Sequence, residues 1–343
     1  MEPITFKQAM EETRGARRNL LIGNGFSASR HPEFGYATLF KYAARQDPPF
    51  ADLFPNPGNP NFEDAMRRAA TAGEVDRIRE ALIKAIAAVH PHYVLDLKDW
   101  ERRACRRFLE QFIGRELPQP GWLFSTNYDL LLHWVLSTQE SSPGVKQHKQ
   151  LIWHDGFDGQ GDWHKFAPTS VYYLHGAVHI FERPYNALAL KFATEMIRYE
   201  RSKTWLMTQV AERMGKGERP VFIAEATGDD KRRSIGNYDY TARARRQFRK
   251  ALEEPNASLF TFGQGFGESD SHITDEVVRG HSAAAYLGVY SLGDRARAEA
   301  LAVEWAEARH SLGKPEITVR LYDVKTCTVW GDPTTSDNDA SPV

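Results

Sequence analysis

The sequence predicts an α/β fold, a mainly parallel sheet with helices on both faces, on three observations. Short apolar runs alternate with amphipathic helical patterns along most of the chain, the order that builds parallel strands joined by crossover helices. Several runs end abruptly in glycine or small polar residues, as strands do where they leave a sheet. A long helical stretch also separates the first such run from the second, so one connection carries a helical insertion, at about residues 36–118.

The elements follow in order. Ile4 to Arg14 reads as a helix, and Asn19-Leu20-Leu21-Ile22, closed by Gly23, reads as a buried strand. Residues 47–60 are rich in Pro, Asn and Gly and read as a loop. Asn61 caps the helix opening Phe62-Glu63-Asp64, because its side chain accepts early backbone N–H groups and acids suit a first turn. Helical patterns continue over Glu74–Val89 and Leu95–Phe112. A strand at Gly121–Ser125 leads to a helix at Asp129–Leu136, and residues 137–170 form a loop or small β excursion broken by Gly156, Gly159 and Gly161. Then come a strand at Val171–Leu174, a helix near Ala193–Met214, a strand at Pro220–Ala224 and a helix over Tyr238–Leu252. The alternation closes with strands Ser258–Phe262 and Ala284–Tyr290 and helices Ser269–Arg279 and Arg295–Arg309. The residues from Gly331 onward, rich in Asp, Ser, Thr and Pro, read as a disordered tail.

Composition narrows the class. The 343 residues, 41% hydrophobic and 26% charged, suffice for a sizeable core. With 44 basic against 45 acidic residues there is no whole-chain field to hold nucleic acid or an anionic membrane. No apolar run approaches the roughly 20 residues of a membrane span, and no signal-peptide pattern opens the chain, so a cytoplasmic protein is expected. Cys105 and Cys327 are too few for a four-thiolate zinc site.

Three signatures stand where strands should end, and in an open α/β sheet ligands bind beyond the strand carboxyl ends. Gly23-Asn24-Gly25-Phe26-Ser27 reads as a tight turn or as a loop whose amides approach a diphosphate. In Thr126-Asn127-Tyr128-Asp129, Asn127 offers donor and acceptor to ribose hydroxyls or water, or serves a helix cap, and Asp129 suits the cap. His175-Gly176 suits a general base at a cavity edge, or a structural histidine.

Together these residues resemble the sirtuin superfamily, in its zinc-lacking bacterial branch. The family's Gly-Ala-Gly-x-Ser is matched by Gly23-Asn24-Gly25-Phe26-Ser27, its Gln-Asn-x-Asp by Thr126-Asn127-Tyr128-Asp129, and its catalytic His-Gly by His175-Gly176. A later glycine loop of the family is similar to Gly263-Gln264-Gly265-Phe266-Gly267-Glu268-Ser269-Asp270, and Pro32-Glu33-Phe34 loosely resembles a Pro-Asp-Phe segment. The resemblance implies one Rossmann-like domain over residues 1–330 and nicotinamide adenine dinucleotide (NAD) as substrate, held by Gly23, Asn24, Gly25, Phe26, Ser27, Thr126, Asp129, Gly176, Gly263, Gly265, Ser269 and Asp270. It implies His175 and Asn127 as the catalytic residues of an NAD+ hydrolase releasing nicotinamide and ADP-ribose, an activity found in defence against phage. Loss of the zinc module argues against deacylation. A sensor that binds NAD or an ADP-ribose derivative without turnover is the alternative from another class, and NAD-dependent deacylation or ADP-ribosyl transfer is a third. The expected partners are NAD and either a second copy or a defence-system protein, without membrane or nucleic acid.

The remaining candidates have plainer readings. Glu63 reads as a first-turn acid or a cavity residue, and Glu225 and Lys231, after the strand at 220–224, as surface charges or nucleotide contacts. His154, His164, His175 and His179 lack compact metal-ligand spacing, so no metal is expected. The clusters Arg102-Arg103-Arg106-Arg107 and Arg243-Arg245-Arg246-Arg249 read as solvated helix faces, with phosphate-backbone binding as the alternative.

Overall fold

A computed structural model of the chain describes residues 1–54, 56, 58, 60–69, 71–91, 96–137, 151, 153–158, 161–182, 189–191, 206–224 and 227–331. Seven strands, β1 (Ile4–Thr5), β2 (Arg17–Ile22), β3 (Leu123–Ser125), β4 (Val171–Tyr173), β8 (Ala257–Phe262), β9 (Ala284–Val289) and β10 (Thr318–Asp323), form one sheet in the order β4-β3-β2-β8-β9-β10-β1. Every pairing in it is parallel. From β2 the chain moves outward to β3 and β4, then returns to β2's other side and moves outward again through β8, β9 and β10. Direction therefore reverses between β2 and β8, as in a Rossmann-like sheet, and a crevice opens there at the strand carboxyl ends.

The apolar pattern shows why helices cover both faces. Along β2, Leu20 and Ile22 join one core cluster and Leu21 the other, and β8 repeats this with Phe260 and Phe262 against Leu259. Alternate residues of a strand point to opposite faces, so a run apolar throughout needs a cover on each. On the first face, helix α6 (Asp99–Ile113) brings Phe108 and Phe112 onto Phe6, Phe260 and Phe262. On the second lie α10 (Asp239–Leu252), α11 (Ser271–Arg279) and α12 (Leu292–Ser311), through Phe248, Val277 and Trp305 among others.

The helical insertion comprises α3 (Tyr36–Gln46), α4 (Phe62–Arg68), α5 (Ala72–Val89) and α6. Asn61 caps α4 as expected, its Oδ1 accepting from the amides of Glu63 and Asp64. The segment read as a loop holds a 3₁₀ helix, Pro48–Leu53, whose Phe50, with Phe40, Phe54 and Phe62, makes a buried aromatic cluster. Prolines at its first positions are compatible with a helical start, which the loop reading overlooked.

Other expectations need correction. The run at 220–224 forms β7 (Pro220–Phe222), which lies in a separate antiparallel sheet, β6-β5-β7, with β5 (Gly176–Glu182) and β6 (Ala189–Lys191). An apolar run carries no direction, and the turn that creates this sheet is Gly176 itself, at φ +73°, where a Cβ would meet Val221 O at 1.9 Å. Strands β1, β5, β6 and β10 are absent from the sequence reading; β1 and β6 are very short and β10 is only half apolar. The first helix shortens to Phe6–Glu12, and the helix near 193–214 is described as α8 (Leu206–Gly215), its earlier part lying outside the described residues. Most of 137–170 before Trp153 and the tail from 332 also lie outside them. Among the described residues, no helix is long and apolar enough to cross a membrane.

Nor are the arginine clusters plain solvated faces. Arg102 is buried beside Asp99, Arg106 donates to Val135 O at 2.8 Å, and Arg245 and Arg249 both clamp the buried Glu276. Cys105 and Cys327 are free thiols, and burial pushes both above their usual range.

Candidate functional site

The carboxyl ends of β2, β3, β4 and β8 surround a cavity of about 730 Å³, within the size range of small-molecule sites. Of the residues singled out from the sequence, Asn24, Thr126, Asn127, Asp129, His175, Gly263, Gly265, Ser269 and Asp270 line it. Gly23, Gly25, Phe26, Ser27 and Gly176 lie behind this lining. The opposite wall comes from the insertion, through Tyr36, Leu39, Asn61, Glu63, Arg67, Arg68, Leu82 and Ile86. The insertion therefore roofs the crevice.

The glycines of the first signature serve a different contact from the one expected. A Cβ on Gly23 would lie 2.6 Å from Gly263 O, one on Gly25 2.6 Å from Gly263 Cα, and one on Gly263, at φ +65°, 2.5 Å from the Gly25 backbone. The loops after β2 and β8 pack backbone to backbone, which only glycine allows. The amides of Gly23 and Gly25 donate to Phe262 O and Gly263 O at 3.0 and 2.9 Å, so they bind the neighbouring loop. Phe26 packs on Phe262 and Trp330, and the Trp330 indole donates to Phe26 O at 2.9 Å. Gly265 faces open space.

Behind the cavity floor, Asn127 Nδ2 donates to the wholly buried Ser27 Oγ at 2.9 Å. Ser27 also bonds Asp129, whose Oδ1 accepts from Leu131 N at 2.9 Å, so Asp129 caps the helix α7 (Leu131–Ser137). Burial raises the Asp129 carboxyl above its usual value despite these donors. Asn127 itself is 5% exposed, and its Oδ1 has no hydrogen-bond partner among the described residues. A buried acceptor without a donor costs about 1–3 kcal/mol, so this one calls for a donor.

His175 is buried, and its Nε2 lies 2.8 Å from Nε2 of His272 in the first turn of α11. Burial, then the Lys231 ammonium and the neighbouring imidazole, holds His175 well below the ordinary histidine range. His272 is pushed down to about 4, by burial first. Both rings are therefore neutral near pH 7. Tyr128 lies over His175 and stacks on Phe222 at 4.0 Å, and its hydroxyl donates to Ile223 O at 2.6 Å.

Lys231, in α9 (Gly228–Asn237), is 1% exposed and pairs with Glu63 Oε1 at 2.5 Å and Asp270 Oδ1 at 3.1 Å. Burial opposes its charge, but Asp270 and Glu63 more than offset that and keep the ammonium above its ordinary value. Glu63 also accepts from Ser269 Oγ, while Asp270 Oδ2 accepts from Gln264 Nε2 at 2.7 Å and Gln264 Oε1 from Thr126 Oγ1 at 3.0 Å. One network thus ties the insertion to the loops after β3 and β8. Glu63 and Lys231 are cavity residues joined to each other, whereas Glu225 lies outside the described residues.

His175, Asp270 and His272 hold their potential ligand atoms within 4.8 Å of one another, the arrangement a divalent metal would need. Both Asp270 oxygens are already taken by Lys231 and Gln264, and an ammonium beside the carboxylate opposes a second cation. The trio therefore reads as a hydrogen-bonded network. His154 is exposed, His164 pairs with Asp158 at 2.6 Å, and His179 is buried against His133, so none of them contributes to the cavity lining. Sequence reasoning missed His272, although it stands two residues beyond Asp270 at the end of the glycine-loop motif.

A family model described as a domain of unknown function (DUF4917) matches residues 20–330. No curated protein matches the chain.

Proposed function

The chain belongs to the DUF4917 family, and from its site chemistry we propose that it is an NAD+ hydrolase, cleaving the nicotinamide–ribose bond to give nicotinamide and ADP-ribose. The observation that carries this reading is Asn127 Oδ1, a buried acceptor without a partner among the described residues, in a residue that lines the same cavity as the neutral His175. Breaking the glycosidic bond develops oxocarbenium character at C1′, so an enzyme must orient the sugar hydroxyls or a water and remove one proton. Asn127 supplies the orienting acceptor and His175 the base, which must be neutral to accept a proton.

The switch-point position of the cavity supports a nucleotide ligand, as does the resemblance of the three signatures to zinc-lacking sirtuin-like proteins. With the Gly23 and Gly25 amides committed, contacts to the diphosphate fall to Gly265, and to Asn24, Thr126 and Ser269 where their side chains exchange their bonds to Phe34 O, Gln264 and Glu63. A role in phage defence, and a second copy or defence protein as partner, belong to this proposal through the resemblance alone.

The test is incubation of the purified chain with NAD+, following nicotinamide by chromatography. We expect release by the wild type and a loss on the order of 10²- to 10⁴-fold in His175→Ala, with folding retained. Binding without release would replace the hydrolase with a sensor. Acyl-ADP-ribose or label on protein would replace it with deacylation or transfer.

A further inference from the structure

We infer that His272 is a positioning residue acting through His175, the second half of a two-imidazole proton relay whose first half faces the cavity; the inference rests on the hydrolase reading. Two ring nitrogens 2.8 Å apart can share only one proton, so one ring donates and the other accepts. Both rings are buried, at 2% and 1% exposure. His175 lines the cavity and His272 does not, so a proton collected from a ligand enters at His175 and leaves toward His272.

The surroundings set the direction. The Ser269 backbone favours a protonated His272 ring, while Nδ1 itself is buried with no hydrogen-bond partner among the described residues, so the relay requires, rather than the contacts dictate, that Nδ1 carry the proton. A proton on Nδ1 makes His272 Nε2 the acceptor. His175 then carries its proton on Nε2 and presents a bare Nδ1 as base. Charge on His175 is opposed by the Lys231 ammonium, whereas charge on His272 is favoured by Asp270, against Lys231 and Arg245. The acceptor ring is thus the better place for the cation.

His175 Nδ1 takes the proton of a water or ribose hydroxyl, and the proton on His175 Nε2 passes to His272 Nε2. His175 ends neutral with its proton on Nδ1, and His272 carries the positive charge. The freed oxygen pair forms the bond to C1′, while the glycosidic C–N pair leaves with nicotinamide, which departs neutral. Return of the proton to solvent resets both rings.

The experiment uses the full chain with ¹⁵N-labelled histidine. Two-bond ¹H–¹⁵N correlations at pH 7, assigned with His175→Gln and His272→Gln, should show the Nε2–H tautomer at His175 and the Nδ1–H tautomer at His272. The opposite assignment, or zinc retained in stoichiometric amount by the wild type and lost in both variants, would overturn the relay. His272→Gln offers an amide oxygen to the His175 Nε2–H but cannot carry the proton onward. We expect its kcat to fall roughly 10-fold or more with KM within about twofold, and the acid limb of its pH profile to move. Unchanged kcat and pH profile in that variant would also overturn the relay. A wild type that releases no nicotinamide would instead sink the hydrolase reading, leaving the tautomers to judge the pair. Should His272→Gln fail to fold, the wild-type spectrum still decides.

Discussion

Lys231→Met removes the ammonium that holds Glu63 against Asp270 while keeping a side chain of similar length. The magnitude follows from the burial on each side. Lys231 is 1% exposed, so its replacement by a thioether costs little solvation, but the two carboxylates it leaves are only 14% and 17% exposed and face each other without a counter-charge. Breaking a buried pair by deleting one partner costs about 3–5 kcal/mol, and the donors that remain, Ser269 to Glu63 and Gln264 to Asp270, place this case near the lower end. We therefore expect a loss of about 3 kcal/mol at pH 7, read by urea unfolding with tryptophan fluorescence, and a fall of roughly 4 °C in Tm. Adding Asp270→Asn should restore about 1 kcal/mol or more, because the repulsion disappears with one of the charges. A loss below about 1 kcal/mol in the single variant, or no recovery in the double, would refute the view that the ion triad fastens the insertion over the cavity.

Three further outcomes follow from the same geometry. Gly263→Ala places a methyl at φ +65° and within 2.5 Å of the Gly25 backbone, so left-handed strain and overpacking together should cost about 2–4 kcal/mol in thermal unfolding; a loss under about 1 would deny the loop–loop contact. His272 has a folded value near 4 against an ordinary 6.5, so its ring is neutral when folded and the unfolded chain binds its proton first. Stability should therefore drop as pH falls from about 6.5 to 4, by about 3 kcal/mol from this ring, and His272→Gln should flatten that part of the urea-derived profile; identical slopes in the two proteins would contradict the assignment. Ser27→Ala leaves Asn127 Nδ2 without its acceptor and should cost about 1–3 kcal/mol together with slower nicotinamide release, whereas release at the wild-type rate would mean that Asn127 holds its place unaided.

How much was legible varied with the kind of signal. The strands that carry the site were readable because each is a buried parallel strand, apolar on both faces and closed by a polar cluster, a pattern local to a few residues. The direction of β7 was not, since the antiparallel sheet depends on the turn at Gly176 and on its close approach to Val221, a partner 45 residues away in sequence. Asn127 and His175 announced themselves by position at strand ends. His272 sits on a helix with no periodic signal to separate it from a core residue, and it acquires meaning only through a ring that comes from β4's far end. Lys231 was weighed as a nucleotide contact, but its partners Glu63 and Asp270 come from the insertion and from the loop after β8, pairings that charge patterning along one segment does not reveal.

The glycines show why a motif match and a binding site are different claims. Gly23, Gly25 and Gly263 were read for what their missing side chains would allow a ligand to do, yet in the folded chain each missing Cβ makes room for the other loop. Substituting any of them perturbs the packing that sets the spacing of β2 and β8 at the switch point, so lost activity in such a variant would report on folding and binding at once. Asn127 and His175 separate the two. Both residues line the cavity, and their replacement removes a buried acceptor together with its bond to Ser27, or a neutral base, without opening the loop contact. The functional question is therefore best put to these two residues and to His272 behind them, with the glycines kept as the probe of the scaffold.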